Sequence, residues 1–391
     1  MTPPSLRHRF PGVRDGWARF DAPAGTQMVD VAVTATTDWM TGGSNAAAGG
    51  PFAAAEACSD LLTRARQTVA QMLGADPTGM CFGANMTTMT FALTRAIAAD
   101  LRPGDRVVGT TLDHDANITP WRRACEHAGA EHVLAPFDAV SGMLPVNNVI
   151  DLIDQRTKWV AIAGASNLLG TVPDHRPIIQ AAHAVGARVF IDAVAWAPHK
   201  PIDIATLGCD VLVTSPYKWY GPHAGVMYVQ PDLLDSLGVF KVRPAASKGP
   251  SRFETGMPNF EAIAGVEAAA RFLLEETFDS VVAYEDAIFK PLLTGLQSIG
   301  GVHVWGPSGM SGRTPTAAFT IDGITPSKAA LALAADKIAV WDGHNYALDV
   351  VDQLGLAGTG GVIRAGVARY IEHDDVQRLL ATVERLATTG R

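Results

Sequence analysis

Between residues 80 and 230, short runs of small and β-branched residues alternate with stretches whose apolar positions recur every three or four residues. The runs at 106–112, 132–137, 158–164, 187–192, 210–214 and 225–229 are apolar at consecutive rather than alternate positions, the mark of strands buried on both faces. Strands and helices in alternation predict a mostly parallel sheet covered by helices on both faces. Ahead of it, Ala57, Leu61, Leu62, Ala65, Val69 and Leu73 fall at helical spacing, and Gly74 and Pro77 mark where that helix stops. A further strand and turn at 80–83 lead into a helix starting around Asn85 to Thr88, and a long helix runs from about residue 260 through Leu274. After residue 280 the pattern becomes α+β, with a helix over 281–299, strands at 302–306, 316–321 and 338–343, a helix after Ser327 and a closing helix after His373. The first fifty residues, rich in Gly, Pro, Ala and Thr, predict loops around one short helix.

A chain of 391 residues, 48% hydrophobic and 18% charged, is long enough for two units with ample cores. With 31 basic against 39 acidic residues and no cluster of Lys or Arg, neither a nucleic-acid surface nor a membrane surface is indicated, and a small-molecule substrate is expected. The N-terminal MTPPSLRHRFPG lacks the apolar core of a signal peptide, and no run approaches the roughly 18 apolar residues of a membrane span. A cytoplasmic protein is expected. Cys58, Cys81, Cys125 and Cys209 show no metal-binding spacing, so neither a disulfide nor a metal is expected. No GxGxxG or GxxxxGK motif supports a nucleotide.

Candidate chemistry begins at Lys218, set among Tyr217, Trp219 and Tyr220 in the loop between two strands. Partial desolvation there lowers an amine's pKa and suits it to forming a Schiff base. Asp192 closes the run 187–192, at the carboxyl end of a buried strand, where open α/β sheets bind ligands. A lysine and a strand-end carboxylate in this order are the two protein groups that pyridoxal phosphate needs, one for its aldehyde and one for its ring nitrogen. The polar helix start near Asn85 offers free N–H groups and a helix dipole to a phosphate.

The segment Ser215-Pro216-Tyr217-Lys218-Trp219-Tyr220-Gly221-Pro222-His223 resembles the lysine loop of the class V aminotransferases, specifically of their cysteine desulfurase-like branch. The resemblance extends over essentially the whole chain. It implies fold type I of the pyridoxal-phosphate enzymes: a mostly parallel seven-stranded sheet in a large domain (26–265), and a smaller α+β domain made of 1–25 and 266–391. It also implies that Asn85 and Met86, with Ser215, hold the phosphate, although the family's Gly-Thr-Thr-Glu stands here as Gly83-Ala84-Asn85-Met86. His114, in the segment 113–121, would stack on the cofactor ring; Asn167 would bond its ring oxygen; Asp192 would hold its ring nitrogen. Arg364 would clamp a substrate α-carboxylate, with Gly25 and Tyr346 bordering the substrate. The stretch 252–259, RFETGMPN, matches the segment that reaches the partner's phosphate in this family, with Met257 in place of a threonine. A homodimer with the active site at its interface is implied.

Four positions depart from the desulfurase pattern. Where the nearest group carries Gly-His-His-Cys-Ala, this chain runs Gly343-His344-Asn345-Tyr346-Ala347, so the sulfur-accepting cysteine is a tyrosine. Ala195 replaces a glutamine and Tyr217 a histidine. The expected activity is therefore that of a pyridoxal-phosphate enzyme on the α-amino group of an amino acid, aminotransferase- or desulfurase-like but without a persulfide. The alternatives are a carbon–sulfur or carbon–selenium lyase or an epimerase, and, from another class, a cofactor-binding pseudoenzyme. A tyrosine there offers an oxygen that donates or accepts a proton near the substrate, or a ring that fills the pocket, and the buried, pocket-filling role is the one expected.

Overall fold

The structure, a computed structural model, describes residues 3–389. Its centre is a seven-stranded sheet in the order Met80–Gly83, Gly225–Val229, Val211–Thr214, Arg188–Asp192, Thr157–Ala163, Arg106–Thr110 and Glu131–Ala135. All pairings are parallel except those of Gly225–Val229, which runs against both neighbours. The expected mostly parallel seven-stranded sheet is thus present, and one strand of it is reversed.

Consecutive apolar residues make such a strand because successive side chains leave opposite faces and both faces are covered. Val160, Ile162, Val189, Ile191 and Leu212 enter one core, while Trp159, Ala161, Phe190, Val211 and Val213 enter the other. The first core is closed by helices Ala53–Leu73 and Phe260–Glu276, the second by Met86–Ala98 and Thr119–Ala128. Helix Ala53–Leu73 ends on Gly74 at φ +59°, whose amide returns to the Ala70 and Gln71 carbonyls. A Cβ at that glycine would stand 2.8 Å from the Asp203 Cα, so only glycine both turns and fits.

The C-terminal part carries a four-stranded antiparallel sheet in the order Trp341–Gly343, Val362–Gly366, Thr316–Ile321 and Val302–Trp305, packed with helices Phe278–Ser298, Pro326–Ala335 and His373–Thr389. The run 338–343, expected as one strand, is two. Ile338–Ala339 pairs with Ala18–Arg19 near the N-terminus, and Trp341–Gly343 pairs with Val362–Gly366. Among the described residues no helix is long and apolar enough to cross a membrane.

Candidate active site

A cavity of about 390 Å³ opens at the carboxyl ends of the parallel strands, between the main sheet and the C-terminal part. The carboxyl ends of these strands and the segments that follow them bring Met86, His114, Asn167, Asp192 and Lys218 to its wall. Arg364 and Tyr346 reach the same cavity from the antiparallel sheet and the loop after it.

Lys218 ends the short turn Pro216–Lys218 that follows strand Val211–Thr214, and its amide closes the turn on the Ser215 carbonyl at 2.9 Å. Tyr220, two residues on, takes the left-handed conformation (φ +72°) and turns the chain back into Gly225–Val229. The Lys218 Nζ donates to the carbonyls of Pro23 and Ala24 at 2.5 and 2.8 Å. Burial, and secondarily the Arg364 guanidinium, push its pKa down to about 7, with Asp192 acting against both. Half of these amines are therefore neutral, and nucleophilic, near neutral pH. Capture of pyridoxal phosphate by the apoprotein, followed as the rise of visible absorbance, should accelerate about tenfold per unit of pH below 7 and level off above it. A rate still climbing at pH 9 would assign the amine an ordinary pKa.

Asp192 is buried, and its Oδ1 accepts from the Val194 amide at 3.0 Å; Oδ2 has no protein partner among the described residues. Burial lifts its pKa to about 6 against that hydrogen bond and the pull of Lys218. A half-satisfied buried carboxylate of this kind gains most from a cationic partner. His114 takes the Ala116 amide on Nδ1 at 2.9 Å, so in the neutral ring the proton is on Nε2. Its pKa is driven down to about 4, first by burial and then by Lys218 and Arg364, which keeps the ring neutral at physiological pH. Asp113, beside it in sequence, is fully buried with partners Thr110 Oγ1 and Asn117 Nδ2, and burial pushes its pKa up to about 8.

Asn167 and Arg364 are tied together: an Arg364 Nη1 donates to the Asn167 carbonyl at 2.8 Å. The Asn167 Nδ2 in turn donates to the Asn345 carbonyl at 2.7 Å, and the Asp115 amide to the Tyr346 carbonyl at 2.8 Å. These bonds pin the loop of the C-terminal part against the main sheet and hold Asn345 and Tyr346 at φ +49° and +60°. Such angles in consecutive non-glycine residues persist only where the surroundings enforce them. The Tyr346 ring stacks on His114, with centroids 5.3 Å apart and 22° between planes. Contrary to the expected buried tyrosine, it is 66% exposed, because only one side of the ring is covered.

Three expected contacts are arranged differently. Asn85 caps helix Met86–Ala98 through Oδ1, which accepts from the Thr88 amide at 2.8 Å, and Thr87 rather than Asn85 lines the cavity. Ser215 is buried and accepts from the Met86 amide at 3.1 Å, so Thr87 supplies the first-turn position open to the cavity. Gly25 lies outside the lining, whereas its neighbours Pro23 and Ala24 are in it and hold Lys218. Met257 is 67% exposed and borders a separate cavity on the outer side of helix Met86–Ala98. Sequence reasoning passed over Trp341, which lines the main cavity. Its register opposite Arg364 was the signal, and register is set by pairing rather than by local pattern.

The arrangement of sheet, cavity and C-terminal part recurs in a crystal structure of the Escherichia coli cysteine desulfurase CsdA in S-sulfonic acid form. It superposes over 98% of each chain with a TM-score of 0.89 at 25% identity. This is the fold of the type I pyridoxal-phosphate enzymes, and the chain is an enzyme of that class. The model of the aminotransferase class-V family matches residues 19–379, and the chain belongs to that family. It is 32% identical over 401 aligned residues to an uncharacterised protein of Mycobacterium tuberculosis, covering 98% of both chains. Against a cysteine desulfurase of an Enterobacter species it is 31% identical over 301 residues, 74% of this chain and 72% of that one. The cofactor is pyridoxal phosphate. The cavity fits it: the Asn167 Oδ1 and Arg364 Nε are buried without partners, Asp192 keeps an open Oδ2, and the helix N-terminus at Thr87 faces inward.

Proposed function

We propose that this enzyme acts on the α-amino group of an amino acid without passing sulfur through a cysteine persulfide. The observation that carries the reading is Tyr346 at the cavity, in the place where the desulfurase pattern has its cysteine. All four cysteines are buried and none lines the cavity. Burial raises the Cys81 thiol and pushes those of Cys125 and Cys209 up to about 12, which keeps them protonated.

When bound, pyridoxal phosphate supplies an electron sink for a carbanion at the substrate's α-carbon. Lys218 would hold the cofactor through its amine, and the same amine, when free, would be the base that moves the substrate's α-proton. The Asp192 carboxylate would hold the ring nitrogen in its protonated form, and the His114 ring would pack against the cofactor. The neutral imidazole adds no positive charge there. The helix N-terminus at Thr87 would hold the phosphate, with Ser215 fixing the Met86 amide beside it. Arg364, already fixed on one nitrogen by the Asn167 carbonyl, presents the rest of its fork to the α-carboxylate. The exposed Met257 and the segment around it support the further reading of a homodimer in which this stretch meets the partner's phosphate.

Incubation of the loaded enzyme with cysteine and a reductant should yield no alanine and sulfide above the level of free cofactor. Alanine with stoichiometric sulfide at roughly 1 per second, an ordinary enzymatic rate, would overturn the proposal. Tyr346→Cys under the same conditions tests whether this one side chain separates the two chemistries.

A further inference from the structure

The cavity wall contributed by the C-terminal part presents two large aromatic rings to the opening. The chain has eight tryptophans and six tyrosines. Only one of each is exposed, Trp341 at 51% and Tyr346 at 66%, and both line this cavity. Trp341 stands directly opposite Arg364 in the antiparallel ladder, so the two side chains leave the same face of the sheet. Asp342 faces Ile363 in that ladder and lines the rim of the same cavity. Tyr346 is held in place by its own backbone, with one side of its ring on His114 and His344 edge-on at 5.9 Å. Its remaining surface is open.

Three charges of the cavity are committed once an amino acid is in place, and Asp342 is the further one on its lining. Arg364 answers the α-carboxylate, Lys218 the α-nitrogen and cofactor, and Asp192 the ring nitrogen. A second carboxylate would meet aromatic faces and the like charge of Asp342, which also lines this wall, and an ammonium could pair with Asp342 only by leaving both open rings uncovered. A planar apolar side chain would cover both open rings by offset or edge-on stacking.

We propose that the substrate is an amino acid with an aromatic side chain, its ring packed against Trp341 and Tyr346 while Arg364 takes its α-carboxylate. The inference rests on the reading of this cavity as the amino-acid site. It makes Trp341 a specificity-determining residue.

The test uses the enzyme loaded with pyridoxal phosphate, titrated with phenylalanine, tryptophan, leucine, alanine, aspartate and lysine while the cofactor's absorbance is followed. Phenylalanine or tryptophan should reach half-saturation at a concentration at least about tenfold below alanine, aspartate and lysine, the step one good aromatic contact supplies. Trp341→Ala should weaken phenylalanine by roughly tenfold, and Trp341→Phe should restore most of that affinity. A spectral response without aromatic preference, or one led by aspartate, lysine or leucine, overturns the inference and leaves the amino-acid site standing. Equal weakening of phenylalanine and alanine in Trp341→Ala also overturns it, since that variant would then have disturbed the Arg364 strand. Silence toward every amino acid overturns the reading of the site and the inference together.

Discussion

Replacing Lys218 with alanine should lower turnover of any amino-acid substrate by at least about 10⁴-fold, because one side chain both holds the cofactor and moves the α-proton. Borohydride treatment of the unmodified enzyme should fix the cofactor to the peptide containing Lys218, and mass spectrometry reads the site directly. Attachment at Lys200 or Lys241 would end the assignment. Lys218→Arg should be equally inactive although it keeps a cation, which separates nucleophilicity from charge. Lys218→Ala should not melt below the unmodified apoprotein through loss of this charge. Folding lowers the amine's pKa from 10.5 to about 7, so between those values the unfolded chain binds more protons and stability rises with pH. Removing the group removes that penalty and flattens the pH dependence of the melting temperature in this window.

Asp192→Ala is expected to have the second-largest effect. With the carboxylate gone, the protonated ring nitrogen would sit in a buried pocket without a partner, a situation that costs about 3–5 kcal/mol. Turnover should fall roughly 10²- to 10⁴-fold. Asp192→Asn should lose nearly as much, since an amide preserves the shape and the Val194 contact but not the charge. Near-normal turnover in either variant would refute the role. Burial lifts this carboxyl to about pKa 6 in the apoprotein, and a cationic ring nitrogen would draw it down again. The apoprotein's affinity for the cofactor should accordingly decline as pH falls through 6.

Much of this was legible from the sequence because it depends on local pattern. Strands such as Thr157–Ala163 are buried on both faces, and their consecutive apolar residues announce it. Helix Ala53–Leu73 follows from its spacing and its glycine stop. Lys218 and Asp192 were found because loop and strand-end positions imply exposure to a ligand cleft. What escaped was long-range. The reversal of Gly225–Val229 is a matter of partner choice, which five buried residues in a row do not encode. The splitting of 338–343 depends on a partner strand more than three hundred residues earlier, at Ala18–Arg19. Tyr346 seemed a buried filler, but a stack on a single face of His114 leaves a tyrosine largely in solvent. Asn167 was expected to turn its amide to the cofactor alone, yet its Nδ2 is also the tether of the loop across the cleft.

That tether grips main-chain atoms. The Asn345 and Tyr346 carbonyls receive the bonds from Asn167 and Asp115, so the backbone's path over the cleft is set without help from the Tyr346 phenol. The position can therefore be re-lettered while the scaffold stays still, within the alphabet that a left-handed φ admits: asparagine, glycine and unbranched side chains, but not valine or isoleucine. For a protein engineer, residue 346 is an interchangeable tool head on a fixed mount. For a lineage, it is a place where a single codon change can redirect chemistry before any other part of the molecule has to adapt.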